Sequence, residues 1–204
     1  MMESKPVYIS LGSDCSVSFQ LRKLGLQHMG SMPLDWFRID KPEMVLSILE
    51  NDFQDIANLS MYKATNQSEM FNYFDGQNQQ SSEAINSIKS LIRLKHIRYG
   101  FIAPHEYIGT EINIDHFHGK YTRRIERFRK IAHDRDIRKI FVYLDNSKTG
   151  NTEINEKFKM ALARYGCVNF DLVIVKTGDY DHLIPTDQPF DWRREYIDWK
   201  SILN

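Results

Sequence analysis

The chain begins its ordered pattern with a short apolar run, Val7-Tyr8-Ile9-Ser10-Leu11, rich in β-branched and aromatic residues and closed by Gly12. That composition predicts a buried first strand. Val17, Leu21 and Leu24 then recur at helical spacing with Gly25 just beyond, so a helix follows over 16–24. Pro33-Leu34-Asp35-Trp36-Phe37 reads as a loop, and Asp40 as the cap of a helix that carries Pro42 in its first turn and ends near Asn51. From about 61 to 82 the sequence is polar and aperiodic, an exposed excursion. Beyond it the pattern predicts a helix over 83–94, then a short strand over 99–103 broken by Pro104. A helix over 120–132 places Tyr121, Ile125, Phe128 and Ala132 inward and a dense arginine face outward. A strong strand over 139–144, a helix over 152–165 and a strand over 170–175 complete the alternation. The segment 190–199 holds two of the three tryptophans and reads as a final helix docked on the sheet.

Strands separated by helices imply an α/β fold: a three-layer sandwich with a mostly parallel central sheet and helices on both faces. The 204 residues read as a single domain, 1–204, interrupted by the polar excursion. Ligands of such sheets sit outside the carboxyl ends of the strands, which directs attention to the residues after the first strand. His105, just past the strand at 99–103, is expected to share that sheet edge.

Composition narrows the function classes. Hydrophobic residues make up 42% and charged residues 26%, a balance that supports a packed core. Lys and Arg number 27 and so do Asp and Glu, so no global field draws the chain to nucleic acid or to an anionic membrane, and neither is an expected partner. The sequence has no secretory leader pattern and no run of about eighteen apolar residues. With Cys15 and Cys167 read as free thiols, the expected compartment is cytoplasmic.

Leu11-Gly12-Ser13-Asp14-Cys15-Ser16 joins a strand end to the first turn of a helix. Cys15 then lies among unpaired backbone amides at the positive end of the helix dipole, a placement that favours a thiolate. The same amides are able to receive an oxyanion. Cys15 also reads as a small packed apolar residue, as many free cysteines are. A thiol nucleophile calls for a histidine, and of seven only some sit where a strand end would place them; His105, after the strand at 99–103, is the choice. His116 and His118, with Asp115, suggest a metal pair, but no further ligands follow at a zinc spacing, so neither metal nor other cofactor is expected. Arg123-Arg124-x-x-Arg127, with Lys120 and Arg129, reads either as a holder of a substrate phosphate or carboxylate or as a solvated helix face. Two other functions fit. One is an esterase on a flavodoxin-like sheet, using Ser13 with Asp179 and His182, although the order after Gly12 is Ser-Asp rather than Asp-Ser. The other is a non-catalytic module that holds an anionic or sugar ligand at the strand ends.

Several motifs occur in one order: Leu11-Gly12-Ser13-Asp14-Cys15, Phe19-Gln20-Leu21-Arg22-Lys23-Leu24-Gly25-Leu26, Pro33-Leu34-Asp35-Trp36, Pro104-His105-Glu106 and Lys120-Tyr121-Thr122-Arg123-Arg124-Ile125-Glu126-Arg127-Phe128. Together, from about 7 to 145, they resemble a family described as papain-like cysteine peptidases. The resemblance implies Cys15 as nucleophile and His105 as general base, with an acidic residue orienting the imidazole. Asp35 is the choice for that third residue; it reads equally as a turn residue capping backbone amides beside Trp36. Ser13, Asp14 and Trp36, with Arg123 and Arg124, are the candidate substrate-binding residues. The expected activity is a cysteine-nucleophile hydrolase acting on an amide or related acyl bond of a small-molecule, peptide or glycan substrate. One departure stands out: papain-like sites set the cysteine on a helix packed against a separate antiparallel sheet, whereas here it follows a strand in an alternating α/β pattern.

Overall fold

Two sheets, not one, organise the chain. The computed structural model describes residues 5–65, 92–108, 114–146, 153–184 and 193–203, and at 92 and 105–108 it describes the backbone alone. In chain order the elements are β1 (Val7–Ser10), α1 (Cys15–Lys23), α2 (Pro42–Glu50), β2 (Tyr62–Ala64), β3 (Ile92–His96), β4 (Ile102–Ile108), α3 (Ile114–His133), β5 (Lys139–Asp145), α4 (Ile154–Arg164), β6 (Phe170–Lys176) and α5 (Trp199–Leu203). The first sheet is parallel with order β1-β5-β6, Ile9 lying opposite Phe141 and Val142 opposite Val173.

β5 is buried along its whole length, as the central strand of a sheet covered on both faces must be. Side-chain alternation divides the sheet between two cores. Tyr8, Ile140, Val142 and Leu144 pack with Val17 and Leu21 of α1 and with Ile197, Trp199 and Leu203 of the C-terminal segment. Val7, Ile9, Phe141 and Tyr143 pack instead with Phe117, Tyr121 and Phe128 of α3, with Phe158 of α4 and with Val45 and Ile48 of α2. The expected sandwich, a parallel sheet between helical layers, is therefore present, and the final helix docks as anticipated through the buried Trp199.

The second sheet is antiparallel with order β2-β3-β4, and it corrects several expectations. Residues 92–94, assigned to a helix from sequence, belong to β3; Ile92-Arg93-Leu94-Lys95-His96 alternates with the period of two that a half-buried strand requires. Residues 83–91, like the excursion from 66 to 82, lie outside the described residues. β2 occupies the start of that excursion.

β4 does not stop at Pro104. It runs from Ile102 to Ile108 and places His105 inside a strand, in a different sheet from the one that leads to Cys15. Proline is tolerated because β4 is an edge strand and its register shifts. Ala103 faces Leu94 while Tyr107 faces Arg93, so Pro104, His105 and Glu106 stand as extra residues between consecutive pairs. Such a bulge is a common device for re-aiming a side chain beside a site.

Two smaller corrections concern helix starts. Lys41, not Asp40, occupies the cap position of α2, and Asp40 instead accepts a bond from Arg38 Nε at 2.7 Å. α3 begins at Ile114, so His116 and His118 lie within it. Among the described residues no helix is long and apolar enough to cross a membrane.

A seam joins the two sheets near the first strand's carboxyl end. Ile39 N donates to Ser13 O at 2.8 Å, while Arg38 and Ile102 exchange backbone bonds of 2.8 and 3.0 Å. Phe37 stacks on Phe101 at 4.2 Å and on Tyr121 at 5.2 Å. The strand that carries His105 therefore starts two backbone links away from the turn that carries Cys15.

Candidate active site

The turn after β1 is set by two consecutive residues with φ of +90°, Gly12 and Ser13. A side chain at Gly12 would also bring its Cβ to 2.9 Å from Ile39 Cδ1. Gly12→Ala should therefore lower the unfolding free energy by about 1–3 kcal/mol, read as a drop in thermal midpoint, because it combines a left-handed backbone with a steric conflict. Ser13 adopts the same φ with a Cβ, and its backbone and hydroxyl are both engaged. Its carbonyl accepts from Ile39, and its Oγ accepts from Asn146 Nδ2 at 2.7 Å.

Asp14 caps α1. Its Oδ1 accepts from Ser16 N at 2.8 Å and from the Ser16 hydroxyl, and its Oδ2 lies 3.4 Å from Arg194 Nη2. Two of the residues named as substrate contacts, Ser13 and Asp14, thus hold the turn itself.

Cys15 is the first residue of α1 and only 6% exposed. Burial pushes its thiol up to about 12, with the Asp14 and Asp35 carboxylates adding to the rise. Here desolvation and two negative neighbours outweigh the helix terminus, so the expectation of a standing thiolate is corrected: at neutral pH Cys15 carries its proton.

Asp35 is fully buried. Its Oδ2 accepts from Met32 N at 2.7 Å and from Gln27 Nε2 at 2.5 Å. Burial raises its carboxyl to about 6; the Met32, Ser18 and Gln27 bonds and the Arg124 charge work against that rise. Capping of a loop amide is thus one of its roles, and its charge also reaches the Cys15 thiol. The structure brings Cys15, Asp35 and Arg124 into one neighbourhood and puts His105 on the adjoining sheet.

This buried acid makes a signed prediction. An aspartate raised from about 4 to about 6 on folding contributes stability below about pH 4 that is lost as pH rises through about 6, worth about 3 kcal/mol by linkage. His96 acts in the opposite sense. It is buried, its Nδ1 accepts from Arg98 N and Tyr99 N at 3.2 and 3.3 Å, and burial lowers its pKa, so acid removes stability as the unfolded histidine takes up a proton. Subtracting the denaturation curves of Asp35→Asn from those of the native protein cancels the histidine. The native protein's stability relative to the variant should then fall between about pH 4 and about pH 7. A flat difference would show that Asp35 titrates normally.

The remaining candidates are dispersed. Trp36 is half-buried under the Arg22 guanidinium, 4.6 Å from its ring centroid. Arg22 also donates to Gln27 Oε1 at 2.8 Å and to Ser31 Oγ at 2.6 Å, which ties α1 to the 27–36 loop. The basic run on α3 divides. Arg124 faces Tyr121 and Asp35, Arg127 donates to Ser31 O, Arg129 pairs with Asp52 at 2.8 Å, and Arg123 is exposed. Asp179 and His182 lie exposed on a 3-10 turn after β6, and β5 stands between that strand and the one leading to Ser13. His118 Nδ1 lies 3.2 Å from Ala57 O, and among the described residues no group of three or more His, Cys, Asp or Glu is arranged to hold a metal.

Sequence reasoning missed Gln27, Asn146 and Arg194. Gln27 is legible afterwards as the polar residue that follows the Gly25-Leu26 helix stop; the other two carry no local signal.

A family model described as "Putative papain-like cysteine peptidase" matches residues 6–179, from the first strand through the turn after β6. The chain belongs to this family. The "Uncharacterized protein R408" of Acanthamoeba polyphaga mimivirus is 26% identical over 226 residues, an alignment covering 99% of each chain. No solved structure gives a significant match. An antiparallel sheet separate from the parallel one is present and carries His105, while Cys15 heads a helix that follows a parallel strand.

Proposed function

We propose that the protein is a cysteine hydrolase of amide or related acyl bonds, with Cys15 as nucleophile and His105 as general base. The observation that carries this reading is the placement of Cys15 as the first helical residue after a glycine-dependent strand-to-helix turn. The first-turn amides that Asp14 leaves open, Ser16 N being held by its Oδ1, would receive a developing oxyanion. Family membership supports the thiol chemistry, and the bulge at Pro104-His105-Glu106 supports His105 as a residue displaced from ordinary strand pairing.

A thiol held near 12 rules the mechanism toward proton transfer during attack rather than a preformed ion pair. As Cys15 Sγ bonds to the carbonyl carbon, its proton passes to the His105 imidazole, and the carbonyl electron pair moves onto oxygen at the head of α1. The tetrahedral species collapses to a thioester, the C–N bond breaks, and the imidazolium returns the proton to the leaving amine. Water, deprotonated by His105, then releases the acid and the free thiol. Asp35 supports the site by fixing the 27–36 loop against α1 and, in its charged form, by favouring the imidazolium.

The test is a panel of peptidyl and simple acyl aminomethylcoumarin amides assayed with the native protein. Release of coumarin that disappears on iodoacetamide treatment of Cys15 supports the assignment; turnover that survives complete alkylation contradicts it. The burial of Cys15 favours one competitor, a non-catalytic binding module in which the thiol only packs, and that reading predicts no turnover in any well of the panel.

A further inference from the structure

We propose that Arg194 is a positioning residue for Cys15: it holds both residues that precede the cysteine and neutralises the carboxylate beside its thiol. This rests on Cys15 being the working residue of the site. The C-terminal strap that supplies Arg194 lies beyond residue 179, where the family match ends.

The geometry converges on one guanidinium. Arg194 Nη2 lies 3.4 Å from Asp14 Oδ2 and donates to Asn146 Oδ1 at 3.0 Å, and Asn146 in turn donates to Ser13 Oγ at 2.7 Å. Nη1 donates to the Tyr196 hydroxyl at 2.9 Å. Ser13 and Asp14, the two residues immediately before Cys15, are therefore both tied to Arg194, one directly and one through Asn146.

The strap is itself fixed in this position. Arg194 has a φ of +55°, a conformation that costs a side-chain-bearing residue about 1 kcal/mol. Its carbonyl accepts from Trp199 Nε1 at 2.9 Å and from Ile197 N at 3.1 Å. Gln20 Nε2 donates to Arg193 O at 2.6 Å, Lys23 pairs with Glu195 at 2.7 Å, and Tyr8 OH donates to Leu203 O at 2.6 Å. A strained backbone anchored on α1 and on the sheet delivers one cation to the turn.

The electrostatic consequence has a definite sign. Asp14 beside Cys15 disfavours the thiolate, and pairing Asp14 with a half-buried guanidinium offsets that effect. With the arginine removed, the carboxylate acts on the thiol uncompensated.

The experiment is the rate of iodoacetamide alkylation of Cys15 against pH in the full chain, with Cys167→Ser to silence the second thiol. Arg194→Met should slow alkylation about tenfold at any pH between about 8 and about 10, a shift of about one pH unit, while Arg194→Lys should stay within about threefold of the parent. Asp14→Asn keeps a capping side chain but removes the charge, so it should speed alkylation, and in that background Arg194→Met should have only the smaller effect carried through Asn146 and Ser13, within about threefold. An Arg194→Met profile that overlays the parent, or a tenfold loss that persists in the Asp14→Asn background, would overturn the proposal. If Arg194→Met does not fold, Asp14→Asn alone decides, because an unmoved profile removes the charge coupling. None of these rates depends on turnover, so hydrolysis that survives Cys15→Ala would refute the proposed function and leave this result standing.

Discussion

Cys15→Ala should retain the fold and lose amide hydrolysis by at least about 10³-fold. The magnitude follows from the role assigned to the thiol: with no Sγ there is no thioester, and only binding and oxyanion stabilisation remain to assist water. Retention of the fold follows from local packing. Cys15 contributes one sulfur atom to the first turn of α1, and the helix is capped by Asp14 rather than by the cysteine. Its removal costs about 1 kcal/mol, a few degrees of thermal midpoint. Circular dichroism and a melting curve on the same sample that is assayed separate the two effects. A variant that melts normally and still hydrolyses at the native rate contradicts the assignment.

His105→Ala should have the second largest effect, a fall of about 10²–10⁴-fold in kcat/KM. Because Cys15 is held protonated, no thiolate stands ready when the base is absent, and the remaining rate depends on hydroxide. The native profile of kcat/KM against pH should therefore rise through an inflection as the imidazole becomes able to accept a proton. In the variant that inflection disappears, replaced by a steady rise with pH. Stability should change little, since Pro104, His105 and Glu106 stand between ladder pairs of an edge strand and no β3 residue loses its partner. If kcat/KM falls but the inflection persists, another group is the base and His105 only supports the strand.

The parallel half of the fold was legible in the sequence because each of its elements carries its own signal. β1 and β5 are built around apolar runs, Val7-Tyr8-Ile9 and Ile140 to Leu144, Gly12 marks the turn, and α1 and α3 show the helical period. The antiparallel sheet was not, for reasons that are tertiary. β3 is five residues long, too short for its alternation to stand out beside a helix-like stretch, and Pro104 breaks a strand only where its missing N–H would be used. At the edge, opposite a register shift, it is harmless.

The site divides in the same way. Cys15 was visible because helix start and strand end adjoin in the chain, but its protonation state was not. The helix dipole is a local property, as is the opposing Asp14 charge, whereas burial, the largest cause, and the Asp35 charge arise only in the fold. The capping role of Asp35 is a three-residue contact and could be read directly. Arg194 lies 180 positions from Asp14 and had no signal at all. The basic run on α3 divides once wound on a helix: Arg124, Arg127 and Arg129 take three different partners and Arg123 is exposed.

The most direct test of the central claim is acyl transfer to Cys15 itself. Native protein is mixed with p-nitrophenyl acetate, quenched in acid within the first turnover and mapped by peptide mass spectrometry. The account predicts an acetyl thioester on Cys15, none on the equally buried Cys167, and acylation slowed about 100-fold or more in His105→Ala. Acetylation of Cys15 no faster than of Cys167, or unchanged without His105, would contradict it.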